Sequence, residues 1–110
     1  YLNIYYVNNI INDYGYDFVF SRQLESLGNE GDVVIGITTS GNSLNIINAF
    51  KKASQMNCKT IALTGRDGGD VKNYADNVVI VPDSNTPHIQ ECHILIGHLW
   101  CSIVDDYFVN

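Results

Sequence analysis

Asp32-Val33-Val34-Ile35-Gly36-Ile37-Thr38-Thr39-Ser40-Gly41-Asn42-Ser43 is the stretch that decides the fold. Its first half is a short, nearly unbroken apolar run, the pattern of a strand buried on both faces of a parallel sheet. Its second half is polar and holds one glycine. Residues 43–55 follow, with Leu44, Ile47, Phe50 and Ala53 at helical spacing. Strand, polar loop, helix is the opening of a parallel β-α-β unit, and ligands of such sheets sit beyond the carboxyl ends of the strands.

Working outward, residues 59–64 read as a second strand and residues 65–69, Gly-Arg-Asp-Gly-Gly, as a loop on turn chemistry. A helical turn is expected near residues 71–75. Residues 77–81 form a third strand stopped by Pro82. Residues 88–108 carry a long helical pattern with a wide apolar face that includes Ile89, Ile96, Leu99, Trp100, Ile103 and Val104. Upstream, residues 18–27 look helical and end at Gly28 in the C′ position, while residues 1–12 have weak helical character. The alternation predicts one α/β domain over residues 1–110, a three-layer αβα arrangement on a parallel sheet of flavodoxin-like type.

Hydrophobic residues make up 45% of the 110 residues and charged residues 16%, enough apolar material for a core and too much for a disordered chain. The net charge of −6, with six Lys plus Arg, offers no basic stripe for nucleic acid. The three cysteines, Cys58, Cys92 and Cys101, form no C-x-x-C pair, so reduced thiols in a cytoplasmic protein are expected. No apolar run reaches the roughly 18 residues of a membrane span and the opening residues show no charged n-region with an apolar h-region, so neither a span nor a signal peptide is expected. The chain starts at Tyr1 and its sole methionine is Met56, so a piece of a longer protein is expected.

The loop 38–43 concentrates four hydroxyls, a glycine and a carboxamide ahead of a helix. Glycine lets backbone approach an anion closely, and the helix start presents free N–H groups and a positive dipole end. A phosphate monoester suits this set. Neither G-x-x-x-x-G-K nor G-x-G-x-x-G is present, which disfavours a nucleoside triphosphate and a dinucleotide. Ser and Asn at a helix start also serve as plain N-caps, and spacing alone leaves both readings open.

The block from Gly31 to Ser43 resembles the sugar isomerase (SIS) domain pattern and, more narrowly, the phosphoheptose isomerase family. Further stretches resemble the same family: Asn12-Asp13-Tyr14-Gly15 with Phe20-Ser21-Arg22-Gln23, Leu63-Thr64-Gly65-Arg66-Asp67-Gly68-Gly69, and Ile89-Gln90-Glu91-Cys92-His93-Ile94 with His98 beyond. The resemblance implies interconversion of sedoheptulose 7-phosphate and a glycero-manno-heptose 7-phosphate through an enediol, serving lipopolysaccharide or capsule. It implies sugar-phosphate contacts at Thr38, Thr39, Ser40 and Ser43, substrate contacts at Asn12, Asp13 and Gln90, a zinc ion held by Gln90 and His98, and proton transfer by His98. A homotetramer is implied as well, with no nucleic-acid or membrane partner.

The resemblance also implies a helix ahead of this sequence, bearing a glutamate base and a further metal histidine. Pro87 and His88 stand where the family often has aspartate and arginine. Gln90 and His98 lie eight apart, a rise of roughly 12 Å, so one metal would join them only if they reach toward each other or across a subunit interface. From its apolar neighbours alone, His98 fits a hydrogen-bonded core residue as readily as a ligand, and His93 fits a structural or supporting role. A second functional reading is a non-catalytic SIS module that binds a phosphosugar or a protein partner.

Overall fold

The computed structural model of the chain describes residues 16–109. Asn12 and Asp13, and the helical character expected for residues 1–12, lie outside them. A 3-10 turn at Tyr16–Phe18 leads into α1 (Val19–Leu27), β1 (Val33–Ile37), α2 (Leu44–Gln55), β2 (Lys59–Gly65), a 3-10 turn at Asp70–Asn73, β3 (Asn77–Val81) and α3 (Thr86–Val109). The strands form a parallel sheet in the order β1-β2-β3, with Val34 opposite Thr60 and Leu63 opposite Val79. The α/β reading with a parallel sheet holds. The second crossover uses a single 3-10 turn in place of an α-helix.

The apolar stripe of α2 makes the core. Ile47, Phe50, Ala62 and Val71 are buried together, with Val34, Ile46, Ala75 and Val78 packed on them. A buried side chain the size of Phe50 contributes roughly 1.5–3 kcal/mol. Leu44 belongs to the predicted stripe but lies half out in solvent at 50%. Helix α1 packs on α2, and the Asn48 amide donates to the Asp17 carbonyl at 3.0 Å.

The start of the β2–β3 pair is clipped by one side chain. The Asp76 carboxylate accepts from the Thr60 N–H at 2.9 Å and from the Thr60 hydroxyl at 3.2 Å, and the Asp76 N–H donates back to that hydroxyl at 2.9 Å.

Two expectations need correction. Strand β1 is covered on one side only among the described residues: Gly36 is buried, while Val33, Ile35 and Ile37 are 58%, 46% and 56% exposed. Helix α2 packs on β1, and Phe20, Leu24 and Leu27 of α1 line an open cleft together with Val33, Ile35 and Ile37. Gly28 does follow α1, but with φ −79° and ψ 151° it is extended, not a left-handed C′ residue. Its N–H donates to the Leu24 carbonyl at 2.7 Å. The wide apolar face of α3 is largely open among the described residues, with only Ile89 and His93 buried along the helix. Leu99, Ile103 and Val104 are more than half exposed.

Candidate functional site

At the carboxyl end of β1 the backbone leaves the sheet at Thr38, whose N–H still donates to the Leu63 carbonyl at 2.9 Å. Thr38 is buried, and its hydroxyl accepts from the Gly41 N–H at 3.2 Å and pairs with the Ser43 hydroxyl at 2.8 Å. A threonine has one hydroxyl proton. When Thr38 gives its proton to Ser43, the proton of Ser43 is free to point away from the loop. Ser40 Oγ accepts from the Asn42 N–H at 3.1 Å, and its own proton is likewise uncommitted. Thr39, Ser40 and Ser43 are half-buried and Asn42 is exposed.

Ser43 is the N-cap of α2, yet its side chain makes no capping bond. Its hydroxyl is turned to Thr38 instead. The plain N-cap reading therefore does not describe Ser43, and the first N–H groups of α2 keep their capacity for an outside acceptor. The Ile46 N–H is already taken by Asn45 Oδ1 at 2.9 Å and the Ser43 carbonyl at 3.1 Å.

A second loop, residues 66–69 after β2, holds this one in shape. Gly41 (φ 74°) and Gly69 (φ 61°) cross backbone on backbone: a β-carbon on Gly41 would lie 2.1 Å from the Gly68 oxygen, and one on Gly69 would lie 2.5 Å from the Gly41 carbonyl carbon. The Val71 N–H donates to the Gly41 carbonyl at 2.8 Å, and the Asp70 N–H donates to Asn42 Oδ1 at 2.9 Å. Asn42 thus clamps the two loops. The second loop is itself closed by the Asp67 carboxylate, which accepts the Gly69 N–H at 2.9 Å. That bond, with the Lys72 charge nearby, holds the Asp67 carboxyl below the usual carboxylate range.

Gly65 is where the cradle, β2 and α3 meet. A β-carbon there would sit 2.7 Å from the Thr39 carbonyl oxygen and 2.5 Å from Ile89 Cδ1. Gln90 is the next residue along α3 after Ile89. His98 lies two turns further along α3. Both Gln90 and His98 are exposed. His93 is the buried histidine of this helix, at 3% exposure, with Nε2 2.7 Å from the Thr64 carbonyl.

Pro87 and His88 serve the start of α3. The His88 N–H donates to Asn85 Oδ1 at 3.1 Å, and its ring Nδ1 lies 3.3 Å from Asp83 Oδ2. Asp83 also accepts the Asn85 N–H, and that bond leads the causes that lower its pKa. Arg66, in a left-handed conformation at φ 57°, donates through its guanidinium to Thr86 Oγ1 at 3.1 Å and through its N–H to the Asp83 carbonyl at 3.1 Å. It ties the β2 loop to the β3–α3 loop. Arg66 and the glycines at 68 and 69 were given no site role from the sequence, and Asn42 was counted only as the carboxamide of the cradle loop. The signals for the second loop were the density of glycine in residues 65–69 and the family resemblance of residues 63–69.

Gln90 and His98 offer an amide oxygen and an imidazole nitrogen, of which the imidazole is a usual zinc donor. Among the described residues no three His, Cys, Asp or Glu side chains are grouped to hold a metal ion. By donor type alone, His98 is the member of the pair that fits zinc, and the pair would supply at most two of the donors a site needs. The three cysteines are free thiols, and no helix of the described residues is long and apolar enough to cross a membrane.

Residues 14–96 match the SIS domain. The chain belongs to the SIS-domain family. Over 94 residues this SIS domain is 60% identical to the phosphoheptose isomerase of Sulfurimonas denitrificans, covering 86% of the chain and 48% of that protein. Over 97 residues it is 53% identical to the phosphoheptose isomerase of Nitratiruptor sp., covering 88% and 52%. Its fold superposes on the phosphoheptose isomerase GmhA from Neisseria gonorrhoeae with a TM-score of 0.91 and 46% identity, covering 94% of this chain and 58% of that one. The SIS domain described here spans about half the length of the curated relatives it matches.

Proposed function

We propose that the protein carrying this chain is a phosphoheptose isomerase, interconverting sedoheptulose 7-phosphate and D-glycero-D-manno-heptose 7-phosphate in the cytoplasm for lipopolysaccharide or capsule synthesis. The observation that supports this most is the cradle: a helix start left uncapped by its own serine, beside the hydroxyls of Thr39 and Ser40, in a chain 50–60% identical to phosphoheptose isomerases.

In this reading the phosphate is received by Thr39, Ser40 and Ser43 and the first N–H groups of α2, while Thr38 braces Ser43 from beneath. Anchoring the phosphate fixes the far end of the open-chain sugar, so that C1 and C2 are presented toward α3. A base removes a proton from C1 of the ketose, the enediol forms, and a proton is returned to C2. His98 is the proton-transfer group on this chain, since an imidazole is able to give and take protons near neutrality. Gln90 orients the substrate, and Asn12 and Asp13 contact it as the resemblance implies. Gln90 and His98 would hold a zinc ion together with donors from beyond the described residues. When bound, it supplies Lewis-acid stabilisation of negative charge on the sugar oxygens.

The long apolar face of α3 supports assembly into a homotetramer. Large side chains such as Leu95, Leu99, Tyr107 and Phe108 are 57–79% exposed, and contiguous apolar surface of this kind marks an interaction site.

Incubation of the full-length gene product with sedoheptulose 7-phosphate in D₂O tests the proposal. Deuterium entering substrate or product supports it. Phosphosugar binding with no exchange favours the non-catalytic module.

A further inference from the structure

Helix α3 is fastened to the sheet by two buried residues four apart on one face, Ile89 and His93. They meet consecutive residues of β2. Ile89 lies against Gly65, and His93 Nε2 is 2.7 Å from the carbonyl oxygen of Thr64. An apolar contact such as Ile89 resists separation but tolerates sliding and rotation. A hydrogen bond from a buried ring is directional. The His93 bond therefore sets how far along, and at what rotation, α3 crosses the end of β2.

That crossing is next to the cradle. Leu63, just before Thr64, accepts the Thr38 N–H, and Gly65, just after it, abuts the Thr39 carbonyl. A carbonyl oxygen only accepts, so Nε2 carries the proton. Nδ1 is buried and has no partner among the described residues, and neither has the buried Thr64 hydroxyl. A proton on Nδ1 would be a buried donor without an acceptor, which costs roughly 1–3 kcal/mol. The ring is thereby held as the Nε2–H tautomer.

We propose that His93 is a positioning residue: through its Nε2–H bond to Thr64 it fixes the placement of Gln90 and His98 relative to the phosphate cradle. This rests on the isomerase reading above. His93 touches neither substrate nor metal in this scheme and acts only through the register of α3.

The test uses the full-length gene product with sedoheptulose 7-phosphate. His93→Phe keeps ring volume and removes the donor, and His93→Gln keeps an N–H at similar reach. His93→Phe should lower kcat about 10- to 100-fold, as expected for a small misplacement of reacting groups, with the Kd for the phosphosugar within about threefold. His93→Gln should recover most of kcat. A folded His93→Phe with wild-type kcat overturns the proposal, as does a folded His93→Gln as impaired as His93→Phe. If His93→Phe does not fold, ¹⁵N NMR of the wild-type ring decides: an Nε2–H with unprotonated Nδ1 supports it and an Nδ1–H overturns it. If the wild-type protein shows no isomerisation at all, the isomerase reading fails, and the NMR result still judges the His93–Thr64 bond separately.

Discussion

Gly41 and Gly68 lie so close that a β-carbon on Gly41 would stand 2.1 Å from the Gly68 carbonyl oxygen. The cradle thus owes its shape to a backbone crossing between two loops that are distant in sequence. Gly41→Ala forces that crossing apart and also strains φ 74°. It is expected to cost more than about 1 kcal/mol of stability and to abolish phosphosugar binding, as measured by urea unfolding and calorimetric titration.

Two hydroxyls of the same loop should behave oppositely. Ser40→Ala removes an outward donor from a half-buried side chain and should weaken phosphosugar binding by about 1–3 kcal/mol, with little change in the unfolding midpoint. Thr38→Val strands the Gly41 N–H and the Ser43 hydroxyl at a buried position. It should lower stability by about 1–3 kcal/mol, visible in denaturant unfolding without any ligand.

Asp76→Ala removes the carboxylate that accepts from both the N–H and the hydroxyl of buried Thr60. A loss of about 1.5–3 kcal/mol is expected, since hydrogen bonds to charged groups are worth that much. Asp76→Asn should recover part of it by keeping one acceptor oxygen.

Stability should also fall in acid through Asp67 and Asp83. Both carboxyls are held below the ordinary value of 3.8 by backbone N–H donors, from Gly69 and Asn85 respectively. A depressed carboxylate stabilises the fold above its unfolded pKa, and that stabilisation disappears as pH drops through the folded value. Thermal melts should therefore be flat in this respect above about pH 4 and decline below it. The decline should be shallower in Asp67→Asn and in Asp83→Asn.

The strand–loop–helix unit from Val33 to Gln55 was legible because its period switches from a continuous apolar run to helical spacing within a few residues. Local patterns of that kind also located β2, β3 and α3. The clamp between residues 41–42 and 68–71 was not legible, because a backbone crossing leaves no periodicity, only glycines whose partners are far away in sequence. Asn42 was therefore grouped with the hydroxyls of the cradle, while the structure uses its side chain to hold Asp70. Two of the three histidines of α3, His93 and His98, were hard to separate for a related reason. His98 sits among apolar neighbours in sequence yet is exposed, and His93, flanked by Cys92 and Ile94, is the one that reaches the sheet. Which stripe of an apolar helix faces inward depends on its crossing point over β2, and that is a tertiary fact. Among the described residues β1 is covered on one side only, since an apolar run states what a strand requires and not which element covers it.

His98→Ala in the full-length gene product should abolish deuterium exchange into sedoheptulose 7-phosphate while leaving its Kd within about threefold, as measured by NMR exchange and calorimetry on the same preparation. Loss of binding together with exchange would count against a proton-transfer role for His98.

The most direct measurement is an amide NMR titration of the ¹⁵N-labelled protein with sedoheptulose 7-phosphate and, in parallel, with unphosphorylated sedoheptulose. Saturable shifts at Ser40, Gly41, Leu44 and Asn45 with the phosphate ester alone are the expected result. Equal shifts with both sugars, or shifts confined to residues away from 38–45, would contradict a phosphate cradle at the end of β1.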